Sequence, residues 1–191
     1  PQEESGVSAP REPVVESGAP AEIGPGEAFH LVDYATGGEA PSGIAGAADG
    51  RLRITLADAR IPVLAAPAPY VIRQRLRVEG DAVLRVAFGL TRASWDKRGG
   101  AVRFTVRATR EGRTTELLSQ EVRPWRGETE RNWSPIEIPL GEPGEVTLEF
   151  ETEMTGERGE GAAEDFVGAY AVWVNPIVVV PAERERPNIV L

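Results

Sequence analysis

The stretch from Gly144 to Val180 constrains the chain more than any other. Val146-Thr147-Leu148-Glu149-Phe150-Glu151 alternates apolar and polar residues, the period-two pattern of a strand with one buried face and one wet face. A polar excursion rich in Gly and Glu runs from Thr155 to Asp165. Ala169-Tyr170-Ala171-Val172-Trp173-Val174 then opens a nearly continuous apolar run, interrupted by Asn175-Pro176 and resumed from Ile177 to Val180. A run apolar on both faces reads as a strand in the middle of a packed structure. Two such strands need a second layer to cover them.

The earlier segments supply it. Phe29 to Tyr34 reads as a strand, followed by a small-residue loop over Thr36 to Gly50, and Arg51 to Leu56 alternates cleanly. Ile61-Pro62-Val63-Leu64 is extended, and its proline predicts an edge or an irregular crossing. Tyr70 to Val78 places Tyr70, Ile72, Leu76 and Val78 on one face, Glu79-Gly80-Asp81 turns the chain, and Val83 to Leu90 continues with Leu84, Val86, Phe88 and Leu90 inward. Val102, Phe104 and Val106 share the core side of the next strand, which Glu111-Gly112 folds into a hairpin with Thr114 to Val122. Trp133 to Leu140 completes the set. No ten-residue stretch carries a helical apolar period. About nine short strands between frequent turns predict an all-β fold, an antiparallel β-sandwich of jelly-roll type.

Composition excludes several function classes. No apolar run approaches the ~18 residues of a membrane span. The absence of cysteine removes disulfides, thiol nucleophiles and zinc thiolate sites, and the single histidine, His30, rules out a multi-histidine metal site. No phosphate-cradling Gly-rich loop and no Ser/His/Asp constellation is present. Glu145, Glu149, Glu151 and Glu153 alternate onto one wet face rather than forming a catalytic pair, so no enzyme activity is expected. Glu160, Glu164 and Asp165, with Glu157, could offer oxygens to calcium, but their spacing is not that of an EF-hand, and no cofactor is expected. The chain opens on Pro1 rather than Met, which predicts a removed secretory leader and a secreted or cell-surface protein.

The net charge of −9 is unevenly spread: −5 over residues 1–28, −3 over 29–50, +9 over 51–126 and −10 over 127–191. A basic middle between acidic ends predicts self-complementarity, within one chain or between neighbours. The arginines alternate with core residues (Arg73, Arg75, Arg77; Arg103, Arg107), which reads as a solvated sheet face rather than a nucleic-acid surface. Residues 1–28 hold five prolines, four glycines and six glutamates, the composition of an extended arm. Its strong apolar residues are Val14, Val15 and Ile23.

Several pieces resemble the non-catalytic β-sandwich that precedes the catalytic domain in some secreted bacterial sulfatases, itself similar to galactose-binding-like carbohydrate-binding jelly rolls. They are Ile61 to Pro69, Val102-Arg103-Phe104-Thr105-Val106, Arg131-Asn132-Trp133, Val146 to Thr152 and Ala171-Val172-Trp173-Val174-Asn175-Pro176. Arg186-Pro187-Asn188-Ile189-Val190-Leu191 resembles the first strand of the sulfatase domain itself. Beyond the arm that composition marks over 1–28, the resemblance implies a sandwich over 29–181 and a linker with the start of a sulfatase-like strand over 182–191. No stretch fits the sulfatase signature of Cys or Ser followed by x-Pro-Ser-Arg, so sulfatase activity is not implied for this segment.

Two binding readings are open. In the first, the module self-associates through its extended ends, with Val14, Val15 and Ile23 of the arm and Ile189, Val190 and Leu191 of the tail adding strands to a neighbour's sheet edge. In the second, it is a glycan-binding accessory domain, with Trp95 and Trp125 in predicted loops stacking on sugars of a polysaccharide. Trp133 and Trp173 are expected in the core. Assembly is the favoured reading of the two.

Overall fold

Period-two alternation pairs off into two facing sheets in the computed structural model, which describes residues 14–16, 20–33, 45–46, 52–56, 59–95, 101–123, 133, 135–155 and 171–182. The strands are β1 (Val14–Glu16), β2 (Ala21–Ile23), β3 (Ala28–His30), β4 (Ala45–Gly46), β5 (Leu52–Leu56), β6 (Ala59–Ala65), β7 (Tyr70–Val78), β8 (Ala82–Leu90), β9 (Ala101–Arg110), β10 (Arg113–Val122), β11 (Ile136–Gly141), β12 (Gly144–Thr155) and β13 (Ala171–Val179). Among the described residues only two short 3-10 turns, Leu31–Asp33 and Arg92–Ser94, are helical.

The first sheet runs β1-β7-β12-β9-β10, with β2 also on β7; the second runs β11-β8-β13-β6-β5-β4, with β3 also on β13. Pairing is antiparallel except where β1 and β2 lie parallel to β7. The predicted antiparallel sandwich therefore carries a parallel edge. β13 sits between β8 and β6 and is buried on both faces from Ala171 to Val174, as its apolar run requires.

Alternate side chains fill the space between the sheets. Trp173 and Phe88 from the second sheet meet Phe104 and Phe150 from the first, with ring centroids 5.0 to 5.7 Å apart and Trp173 edge-on to Phe104 and Phe150. Edge-to-face rings add about 0.5–1.5 kcal/mol each to the burial of their area. The strand β13 holds its register by a bulge. Its partner positions on β8 shift between Val174 and Ile177, where Asn175 has φ 45°. The extra residue reverses the facing of the positions beyond it, so Trp173 and then Val178 and Val180 point into the core.

Other local choices arise from the turns. Glu111 (φ 50°) and Gly112 (φ 75°) make the β9–β10 connection, the doubly left-handed pair that suits a two-residue hairpin. Gly80, between β7 and β8, packs so close that a Cβ there would come within 2.9 Å of Val180 Cγ1. The sequence places Pro62 at an edge or an irregular crossing, and β6 is interior. Pairing with β13 covers only Val63 to Ala65, so the proline falls just past the end of that ladder. The predicted strand from Phe29 shortens to β3 because the chain winds into a 3-10 turn at Leu31.

Trp133 differs from expectation. It precedes β11 rather than lying within it and packs half-buried on the outer side of the second sheet, beside Val63, Ala87, Val172 and Val174. Gly89 leaves the room: a Cβ there would collide with Cδ1 and Nε1 of the indole.

Candidate functional site

The outer face of the first sheet carries the charge. Odd-numbered residues of β7, β9 and β12 point outward, and register sets them side by side in rows. One row reads Glu16, Arg73, Glu149, Arg107, Glu116 across five strands. Another reads Glu153, Arg103, Glu121. Glu149 accepts from Arg73 Nε at 2.6 Å and from Arg107 Nη1 at 2.9 Å, and Arg107 also reaches Glu151 at 2.6 Å. Arg103 lies 3.5 Å from Glu153, and Arg123 pairs with Glu121. Partial burial pushes the Glu149 carboxyl up, but the hydrogen bonds and charges of Arg73 and Arg107 together outweigh it and hold the group below its ordinary range. The Arg107 guanidinium is pushed down by burial and, more strongly, up by Glu151 and Glu149.

The pattern breaks in the row through Arg75. Its neighbours across β12, β9 and β10 are Thr147, Thr109 and Thr114, so no carboxylate stands opposite, and Arg75 makes no ion pair among the described residues. Thr109 and Thr114 share a hydroxyl hydrogen bond of 2.8 Å. A cleft of about 140 Å³ opens here, lined by Arg75, Thr109, Thr147, Glu145, the Glu111-Gly112 turn and Pro20. It presents a guanidinium, hydroxyls and two carboxylates on one open surface, the donor and acceptor set that a polyhydroxylated ligand requires.

Trp95 ends the turn after β8, half-exposed, with the Arg92 guanidinium 5.8 Å from its ring centroid. It follows the far end of β8, whereas the cleft adjoins the end of β7 that leads into β8, so the two are roughly 30 Å apart by strand length. Val14 and Val15 sit in β1 opposite Val71 and Ile72 of the same chain. Ile23 is 1% exposed in the core. Trp125, Ile189, Val190, Leu191, Glu160, Glu164 and Asp165 lie outside the described residues. Among the described residues no group of three or more His, Cys, Asp or Glu side chains could hold a metal ion, and no helix is long and apolar enough to cross a membrane. His30 is exposed on β3.

The sequence did not single out Arg75. Its alternation marked it as outward-facing, but only the cross-strand register distinguishes it from Arg73, which meets Glu149.

No family profile matches the chain, and no curated protein matches its sequence. Among solved structures, the chain is similar to an arginine-to-alanine variant of CBM29-2, a family 29 carbohydrate-binding module, at 10% identity and TM-score 0.33, covering 82% of this chain and 94% of that one. It is also similar to the CBM22-1-CBM22-2 tandem of Paenibacillus barcinonensis Xyn10C, at 14% identity and TM-score 0.34, covering 90% and 49%. Likeness at these scores carries no weight for what the chain binds. The sulfatase resemblance has no counterpart in either of these structures.

Proposed function

We propose that the chain is a non-catalytic carbohydrate-binding module working outside the cell, and that its sugar seat is the Arg75 cleft rather than a tryptophan platform. The observation that carries the reading is the Arg75 guanidinium, which among the described residues has no carboxylate opposite it and is set among threonine hydroxyls, flanked by Glu145 and Glu111. Bidentate donors fixed by a rigid sheet recognise vicinal hydroxyls with geometric selectivity. The volume falls below the roughly 300 Å³ at which enclosed ligand pockets begin, which suits one ring of a polysaccharide lying along an open face. Self-association through the arm has less behind it, since the described parts of the arm run along β7 of their own chain.

Neutral, uronate-bearing and sulfated oligosaccharides should be titrated at millimolar concentration against the isotope-labelled protein. Binding is expected to shift the backbone amides of Thr109 and Thr147 and to leave Trp95 fluorescence unchanged. Arg75→Ala should weaken it by roughly tenfold. A response confined to Trp95 would move the seat to the other end of the sandwich, and silence from both probes would end the reading.

A further inference from the structure

On the other side of the same hairpin lies a second opening, independent of the sugar reading. It is the seam where β10, the edge of the first sheet, faces β11, the edge of the second. The space is about 370 Å³, with Ala108, Leu117, Pro139 and Leu140 as its apolar walls and Arg110 and Arg113 as its cations. That volume lies within the range of small-molecule pockets, about 300–1,000 Å³. No carboxylate lines it.

Arg110 is the unusual member. It ends β9 in the alternation that points Val102, Phe104, Val106 and Ala108 into the core, so its side chain enters between the sheets. There it donates from Nη2 to the Leu140 carbonyl at 3.1 Å and from Nη1 to the Glu145 carbonyl at 3.4 Å. These bonds fix the guanidinium plane against both β11 and β12. Its Nε is buried and has no hydrogen-bond partner, and no acid pairs with the group among the described residues. An inward cation held only by carbonyl dipoles, with a donor unused, is uncompensated in charge and in hydrogen bonding. Arg113 adds a second positive charge at the rim. The walls ask for an apolar body, and the two arginines ask for an anionic head.

We infer that the β10–β11 seam is a binding site for a small amphipathic anion, a single-chain aliphatic carboxylate whose chain lies between Leu117 and Leu140 and whose head meets Arg110 and Arg113. Both demands are met by one ligand, and each can be removed separately.

The test is calorimetric titration of the whole chain with decanoate, decanol and decyltrimethylammonium below their micelle concentrations. Saturable binding of decanoate is expected, about tenfold or more tighter than decanol, with none of the cation. Arg110→Met should erase the preference of decanoate over decanol. Because that residue also ties the sheets together, Leu117→Trp on the half-exposed edge strand provides a second variant. It fills the seam and should abolish binding of decanoate while leaving the fold intact. Equal affinity for decanoate and decanol, binding of the cation, unchanged affinity in Leu117→Trp, or no saturable decanoate binding would each overturn the assignment.

Discussion

Glu149 is where the charged face is most tightly knit. Its carboxylate is 20% exposed and shared between two arginines, so it does more than an isolated surface pair, whose median worth is about 0–1 kcal/mol. Its acidity is enhanced in the folded state, so the stability it confers is complete above the ordinary carboxylate range. That stability is lost as the pH falls through the lowered folded value. Glu149→Gln is expected to cost about 1–2 kcal/mol at neutral pH, with the gap from the parent chain narrowing in acid. Denaturant titrations at neutral and acidic pH check it, and a gap of equal size at both would refute the linkage. At this scale the sequence was half legible. Period two told which residues face water, whereas the partner of each was hidden, because register is set by strands dozens of residues apart. Arg73 and Arg75 look alike in the sequence, and only the glutamate or threonine opposite separates a strut from a candidate ligand contact. Arg110 adjoins a turn, where alternation is least informative, so the sequence alone does not mark it.

Among the elements, β2 changes the meaning of the N-terminal segment. Its composition predicts an extended arm with little to bury, yet Ile23 is buried between the sheets, and Glu79 N donates to the Ile23 carbonyl at 3.0 Å. The chain then turns at Pro25-Gly26. Gly26 N donates to Val180 O at 2.8 Å, and Val180 N donates to Glu27 O at 3.1 Å. Within a few residues the segment passes from the first sheet to the second and stitches them together. Average composition concealed this, since one buried isoleucine among prolines and glutamates barely alters it. Ile23→Ala should therefore destabilise the protein by about 2–5 kcal/mol, measured by thermal or denaturant unfolding. A change below about 0.5 kcal/mol would mean that the segment is dispensable to the sandwich.

Across the whole molecule, the sheets reconcile a charge distribution that is lopsided along the chain. The basic block supplies Arg73, Arg103 and Arg107, and the acidic C-terminal block supplies Glu149, Glu151 and Glu153. Both lie on one face because β12 inserts between β7 and β9. Self-complementarity was legible from the sequence; that the described pairs close within one chain was not. The two-layer architecture was legible because the core demands it. The strand order was not, since alternation says which way a residue faces but nothing about its neighbour. A last consequence belongs to the bulge at Asn175. Because β13 absorbs one odd residue there, losing Asn175 would restore plain alternation and keep Trp173, Val178 and Val180 inward. Circular dichroism of the Asn175 deletion should report a retained β fold, and a lost one would refute the parity argument. Length variation by a single residue in this chain should therefore fall on its loops and on this bulge, and spare the paired stretches of β13 on either side of it.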